Sequence, residues 1–233
     1  MTNEKELTTS SDPYAYPGTD VLRNKGNKQD AEALKRWESD IVGIRLATVA
    51  SHRFAGEFNQ QRLQDTHRYL FGDVYDWAGK TRAHTGTMTK DRNAGYHVTY
   101  GDSAHVETQL GIIFAQLKND NYLQGLDQSK FCEKLAYYYG ELDAIHPFRE
   151  GNSRTLRQFS THLAQSAGYD LDWAKVSATE EQREALFLAR DTAVLKGNSA
   201  QLADIIGNAT TKSQEQSREA ERRPQTQDFF VAL

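Results

Sequence analysis

The chain has 233 residues, with 28 Lys and Arg against 32 Asp and Glu, and a formal net charge of −4. This length suffices for one well-buried domain with additional residues at its ends. The slightly acidic balance, without a long basic run, argues against general nucleic-acid binding. Its single cysteine, Cys132, cannot form an intramolecular disulfide, which favours a reducing, cytoplasmic location. No stretch approaches about eighteen apolar residues, so the sequence predicts no membrane span.

Apolar residues recur with a helical period along most of the chain, which predicts an all-α bundle. Five stripes predict buried helix faces: Leu34, Trp37, Ile41 and Ile44; Leu63, His67, Leu70 and Phe71; Val106, Leu110, Ile113, Phe114 and Leu117; Phe131, Leu135, Tyr138, Leu142 and Ile145; and Leu156, Phe159, Leu163 and Ala167. Asp127 is a plausible cap for the fourth helix. The pattern Ser177–Glu180 resembles a capping box opening a helix that Gly197 can end, and Asn198 is a candidate cap for a final helix.

The most informative stretch is His146-Pro-Phe-Arg-Glu-Gly-Asn-Ser-Arg-Thr-Leu-Arg157. Histidine titrates near neutrality, so His146 is a candidate general base. Glu150 offers a hard oxygen ligand of the kind that Mg²⁺ shares with substrate phosphates. A Gly-Asn turn opening a helix creates an anion site, and Arg154 and Arg157 lie on neighbouring positions of that helix, suited to a polyphosphate.

Each part of this stretch is common by itself. His-Pro often ends a helix, Glu-Gly-Asn often forms a turn, and two arginines three residues apart usually lie on a solvated helix face. Together, at fixed spacing and leading directly into an amphipathic helix, they indicate a site that binds and transfers a phosphate-bearing group.

The stretch resembles the signature of Fic-domain proteins, His-x-Phe-x-(Asp/Glu)-Gly-Asn-Gly-Arg-x-x-Arg. Residues 12–25 resemble the opening of bacterial Fic proteins, and residues 67–79 resemble their early helix and turn. The resemblance therefore covers roughly residues 12–207 and implies a Fic-type helical bundle with a short β-hairpin flap over the active site. Residues 1–11 are expected to be a flexible N-terminal segment, and residues 208–233 a polar tail with the apolar end Phe229–Leu233.

Fic enzymes mostly transfer AMP from ATP to a hydroxyl of a target protein, with pyrophosphate leaving. By this resemblance His146 would deprotonate the hydroxyl, and Glu150 would hold Mg²⁺ on the α- and β-phosphates. Phe148 would anchor the loop in the core. The resemblance assigns nucleotide binding to five further residues: Gly151, Asn152, Ser153, Arg154 and Arg157. Among them, the backbone amides of residues 151–153 would form an anion hole, with Asn152 near the α-phosphate.

Ser153 replaces the second glycine of the signature. If that position requires a positive φ, serine is strained by about 1 kcal/mol, which leaves a nucleotide-binding pseudoenzyme open. If it requires only an accessible N–H, serine is tolerated, and this alternative is preferred because the charged groups are all present. Transfer of UMP or phosphate and a purely helical adaptor module are further alternatives.

The family also has a flap that docks the target by strand pairing, and Lys80–Tyr100, rich in Thr and Tyr with glycine turn formers, fits it as well as it fits a connecting loop. Four residues are expected to dock the target: Thr85, Gly86, Thr87 and Met88.

Many Fic proteins carry an inhibitory helix with the pattern (Ser/Thr)-x-x-x-Glu-(Gly/Asn). Here the only Glu followed by Gly or Asn is Glu150, within the motif itself. In the family this points to a toxin restrained by a separate small antitoxin that presents a glutamate to Arg157. Similar toxins act on the ATPase subunits of DNA gyrase and topoisomerase IV, which are the first expected targets.

Overall fold

The structure, a computed structural model, describes residues 12–49, 52, 54–92 and 95–213. Its helices are α1 (Ala31–Val49), α2 (Gln60–Phe71), α3 (Val106–Asn119), α4 (Gln128–Ile145), α5 (Asn152–Ser166), α6 (Glu180–Lys196) and α7 (Ala200–Ala209). Strand β1 (Thr89–Asp91) pairs antiparallel with β2 (His97–Thr99), and β3 (Tyr169–Leu171) pairs with β4 (Thr210–Lys212). The predicted helical bundle with a short hairpin is confirmed, and a second strand pair joins it.

Helix α4 lies at the centre and packs against α3, α5, α6 and α7. The apolar stripes predicted for α2, α3, α4 and α5 are all buried, so the 3.6-residue period identified these faces correctly. Cys132 is also buried in this core, as expected for a small apolar side chain. Helices α1 and α2 form a second, smaller cluster beside it.

The stripe predicted for α1 was partly wrong, because Ile44 is 68% exposed. The buried face of α1 instead contains Leu34, Glu38 and Val42, which are spaced four residues apart. A glutamate can occupy the buried face because its carboxylate pairs with Arg154 of α5. The apolar period could not reveal this face, since its central residue is charged.

The N-cap of α6 lies two residues after Ser177, the first residue of the predicted capping box Ser177–Glu180. Thr179 is the N-cap, its hydroxyl accepts from the N–H of Gln182, and the Gln182 side chain accepts from the N–H of Thr179. The predicted ends at Asp127 and Gly197 are confirmed: Asp127 caps α4 with its carboxylate, and Gly197 closes α6 in the left-handed conformation.

The N-cap of α7 is Ser199, one residue after the predicted Asn198, whose side chain accepts from the N–H of Ala200. Regular secondary structure extends past residue 207, the expected end of the domain, because α7 runs to Ala209 and β4 then pairs with β3. The predicted segment 1–11 and the apolar end Phe229–Leu233 lie outside the described residues. Within the described ranges, no helix has the length and apolar character needed to cross a bilayer.

Candidate active site

The loop 146–151 connects α4 to α5 and begins with a backbone reversal at His146. This residue adopts φ 51 and ψ 61, a left-handed C-cap, and its N–H donates to the carbonyl of Leu142. Pro147 then prevents continuation of the helix. Arg82, 1% exposed, donates from Nε to the carbonyl of His146 at 2.7 Å and so fixes the reversal from outside the motif.

The imidazole of His146 is 1% exposed and stacks on the ring of Tyr100, with centroids 3.8 Å apart. Neither ring nitrogen has a hydrogen-bond partner among the described residues, and the Asp143 carboxylate remains 3.9 Å from Nδ1. Burial, followed by the positive charges of Lys90 and Arg82, holds the pKa of His146 well below its usual range. The ring is therefore neutral near pH 7 and able to accept a proton.

Phe148 is fully buried, as predicted, and its ring stacks on His67 of α2 with centroids 3.9 Å apart. Nδ1 of His67 accepts from the N–H of Gly79 at 2.8 Å. Its other nitrogen therefore carries the proton, which it donates to the carbonyl of Glu150 at 3.0 Å. A buried histidine thus fastens the far end of the loop, while a phenylalanine fastens its middle.

Gly151 opens α5 with φ 83, and a Cβ at this position would lie 2.3 Å from the Phe71 ring. Only glycine fits here. The side chain of Asn152 turns back into the loop, where it accepts from the N–H of Phe148 at 2.9 Å and donates to its carbonyl at 2.7 Å. Both ends of its amide therefore brace the loop, which leaves the backbone N–H of Asn152 as its group for a phosphate.

Ser153 lies in the first turn of α5 and is not among the described residues with positive φ. The alternative in which serine is strained at this position is therefore wrong. Its hydroxyl lies 3.2 Å from Nη1 of Arg190 on α6, from which it accepts a hydrogen bond. The N–H groups at the start of α5 remain oriented toward the loop, as at any helix N-terminus.

Arg154 lies between two carboxylates. Its Nη2 is 2.6 Å from Oε1 of Glu38 and 3.3 Å from Oε1 of Glu150, which also accepts from the N–H of Gly151. The Glu150 side chain is 35% exposed. The described residues contain no group of three or more His, Cys, Asp or Glu that could hold a metal ion. A cation at Glu150 would need oxygens from a substrate and water, which is the usual situation of Mg²⁺ on a nucleotide.

Arg157 lies one turn further along α5, with its guanidinium carbon 5.7 Å from the centre of the Trp173 ring. Its Nε is buried without a hydrogen-bond partner among the described residues. A half-buried guanidinium without a described counter-ion is suited to an anionic group supplied from outside the chain.

Comparison with known proteins agrees with this geometry. The Fic/DOC family profile matches residues 57–164. The probable protein adenylyltransferase Fic of Escherichia coli K12 is 33% identical over 167 residues, which cover 70% of this chain and 76% of that protein. The chain belongs to the Fic/DOC family. The protein adenylyltransferase VbhT of Bartonella schoenbuchensis is 40% identical over 76% of this chain, which corresponds to only 36% of VbhT.

Solved Fic structures share the fold. The BepC protein of Bartonella tribocorum, a VirB-translocated effector solved with bound AMPPNP, is 27% identical with a TM-score of 0.76, over 86% of this chain and 97% of that one. The N-terminal Fic domain of a Bartonella quintana effector with bound ADP is 25% identical with a TM-score of 0.75, over 87% of this chain and 96% of that one. Family and fold are thus confirmed.

The flap of this Fic domain is the hairpin β1–β2, and the four predicted docking residues precede β1 rather than form it. The N–H groups of Thr85 and Gly86 donate to the hydroxyl of Ser103, and the carbonyl of Met88 accepts from the N–H of Tyr100. Thr87 is exposed. In the described sheet only one side of β1 is paired, so its outer edge could accept another strand.

Sequence reasoning missed five charged residues around the Fic motif: Glu38, Arg82, Lys90, Asp143 and Arg190. Burial lowers the pKa of Lys90, opposed by the negative charges of Glu150 and Asp143, and its ammonium lies 5.9 Å from the centre of the Tyr100 ring. For Asp143 the available signal is a charged residue in the mostly apolar last turns of α4, where it is buried. Arg82 carries no local sequence signal.

Proposed function

We propose that this Fic domain transfers AMP from ATP to a hydroxyl side chain of a target protein. The observation that carries the proposal is the buried, neutral His146, whose two ring nitrogens lack partners, on the loop that ends at the N-terminus of α5. A base held in this way beside an anion-binding helix end suits phosphoryl chemistry. Several relatives are named protein adenylyltransferases, and a structural neighbour binds AMPPNP.

In this mechanism His146 accepts the proton of the target hydroxyl as its oxygen attacks the α-phosphorus of ATP. A bond forms between that oxygen and the α-phosphorus, and the bond to the oxygen bridging the α- and β-phosphates breaks. Pyrophosphate leaves with the electron pair of the broken bond. Because His146 is already neutral, no prior deprotonation of the base is needed at neutral pH.

The phosphates would be bound by groups at the start of α5. The backbone amides of Gly151, Asn152 and Ser153 would face the α-phosphate, which would replace Glu150 Oε1 as the acceptor for the N–H of Gly151. Arg154 and Arg157 would neutralise the β- and γ-phosphates. Glu150 would hold Mg²⁺, which supplies charge neutralisation on the phosphates when bound.

The target would add a strand at the outer edge of β1, beginning at the exposed Thr87 and the half-buried Met88. Thr85 and Gly86 would set the path of this segment rather than pair with the target, because Ser103 already engages their N–H groups. Such docking would present a hydroxyl to His146, beside Tyr100.

The regulatory proposal is that the protein is a cytoplasmic toxin restrained by a small antitoxin, with type II topoisomerase subunits as its first candidate targets. The unpaired Arg157 supports this, because a carboxylate from another chain could occupy it and exclude the γ-phosphate. Expression alone should arrest growth, and a co-expressed antitoxin should relieve the arrest. Harmless expression of the wild type would contradict the toxin assignment.

The deciding experiment incubates purified protein with Mg²⁺, bacterial lysate, and ATP labelled at either the α- or the γ-phosphate. Adenylylation predicts a labelled protein with α-labelled ATP only, lost in His146→Ala and retained in His97→Ala, whose flap histidine is exposed. Label from γ-labelled ATP would show phosphate transfer. A parallel reaction contains α-labelled UTP in place of ATP, and label from UTP alone would show uridylylation. No label in the wild type, but label in Ser153→Gly, would indicate a pseudoenzyme.

A further inference from the structure

Arg190 of α6 joins the two sides of the His146 loop. Its Nε and Nη2 donate to the two carboxylate oxygens of Asp143, at 3.0 and 2.9 Å, and its Nη1 donates to the hydroxyl of Ser153 at 3.2 Å. Asp143 lies in the last turn of α4 before the loop, and Ser153 lies in the first turn of α5 after it. One guanidinium therefore fixes the separation of the helix ends between which His146 and Glu150 lie.

The contact is buried and paired. Arg190 is 5% exposed and Asp143 is 2% exposed, so the bidentate pair is shielded from water. Lysine could not reproduce it, since an ammonium lacks the planar fork that reaches both a carboxylate and a hydroxyl. Ser153, the departure from the family signature, is the residue that completes this link.

Asp191, the next residue of α6, holds the flap. It is 3% exposed, and its carboxylate accepts from Nε and Nη2 of Arg92 at 2.7 and 2.6 Å and from the hydroxyl of Tyr96 at 2.8 Å. Arg92 directly follows β1, and Tyr96 directly precedes β2. The N–H of Arg92 also donates to the carbonyl of Tyr96. The Asp191 carboxylate therefore binds both sides of the flap where its two strands approach the turn.

We propose that Arg190 and Asp191 are positioning residues that hold the catalytic loop and the flap in register through one helix. The idea rests on the proposed function, in which His146 belongs to the loop and the target pairs with the flap. Consecutive helical side chains point in directions about 100° apart, so one rigid turn can reach both parts. A hydroxyl docked on the flap must reach the base within hydrogen-bond range, and small displacements there cost large factors in rate.

The first test separates the two contacts without using activity. Hydrogen exchange should quicken by about tenfold or more at the flap amides of residues 89–92 and 95–99 in Asp191→Asn, while α4 and α5 keep their protection. Asp204→Asn on α7, an exposed site with the same chemical change, is the matched control. Unchanged flap exchange in Asp191→Asn would overturn the proposed role of Asp191.

The second test uses kinetics on the protein that the wild type labels in lysate. Asp191→Asn should raise KM for that protein by about tenfold with little change in KM for ATP, because only target docking loses its register. Arg190→Lys should lower kcat by about tenfold or more, with Arg183→Lys on the same helix as its control. The same fall in kcat together with the same rise in KM in both variants would overturn the division of roles.

The third test covers the case in which Arg190→Lys fails to fold. Ser153→Ala removes only the Nη1 contact and leaves the Arg190–Asp143 pair intact, so it should fold and show a smaller loss of kcat. Wild-type kcat in folded Ser153→Ala would contradict the claim that this link sets the loop. A wild-type protein that labels nothing would refute the proposed transfer, whereas the hydrogen-exchange result would still decide whether Asp191 holds the flap.

Discussion

Tyr100 and His146 stack face to face, with ring centroids 3.8 Å apart and planes at 26°. Tyr100 directly follows β2, and its hydroxyl accepts from Nη2 of Arg92 in the flap. The flap therefore covers one face of the proposed base and removes it from water. Desolvation is the largest cause of the lowered pKa of His146, so the cover that Tyr100 provides favours the neutral ring.

The acid limb of the pH–rate profile should reveal this environment. A base works in its neutral form, so the wild-type rate should fall only well below pH 6.5, where His146 gains a proton. Among the positive charges, that of Lys90 lowers the pKa of His146 most. Lys90→Met removes this charge and should move the acid limb to higher pH, though still below 6.5 because His146 remains buried. The measurement is kcat against pH, with the exposed Lys35→Met as control. A limb that stays in place would show that Lys90 does not act on His146.

Stability should also depend on pH through His67. Burial lowers its pKa to about 3, against 6.5 for the free side chain. The neutral, hydrogen-bonded ring therefore makes its full contribution to the free energy of unfolding above pH 6.5, and this contribution is lost as the pH falls toward 3. Between pH 6.5 and 5 the loss should be about 2 kcal/mol. Urea unfolding at pH 7 and pH 5 checks this value.

His67→Gln should be less stable at pH 7 and should show a smaller difference between the two pH values, since it has no titrating ring. The exposed His97→Gln should behave as the wild type does. Equal acid sensitivity in His67→Gln and wild type would assign the effect to other groups, of which buried His162, with a pKa of about 4, is the first candidate.

The fold was predictable because its helices bury apolar stripes of regular period, and the motif was predictable because its residues are contiguous. Contacts between charged residues from distant segments could not be predicted in this way. Arg190 and Asp143 are 47 positions apart and meet only after α4 and α6 pack. Asn152 illustrates the same limit within the motif, because its sequence position did not reveal that its side chain would fold back onto Phe148.

Gly151→Ala should destabilise the protein by about 2 to 5 kcal/mol. The residue has φ 83, which costs an L-residue free energy, and its new Cβ would lie 2.3 Å from the buried Phe71 ring. Gly43→Ala is the matched control: it lies within α1 with nothing within 4 Å of its added Cβ, and should stabilise the protein slightly. Chemical denaturation measures both, and a loss in Gly151→Ala no larger than the change in Gly43→Ala would contradict the packing argument.

Glu38→Gln should raise the Mg²⁺ concentration needed for half-maximal activity. In the structure Glu38 holds Arg154 at 2.6 Å and accepts from the hydroxyl of Tyr75, while Glu150 lies 3.3 Å from the same guanidinium nitrogen. Without the Glu38 charge, Arg154 would pair more fully with Glu150, the proposed metal ligand, and compete with the cation. Glu32→Gln, exposed on the same helix, is the control. An unchanged Mg²⁺ dependence, with transfer otherwise intact, would show that Glu38 supports only packing.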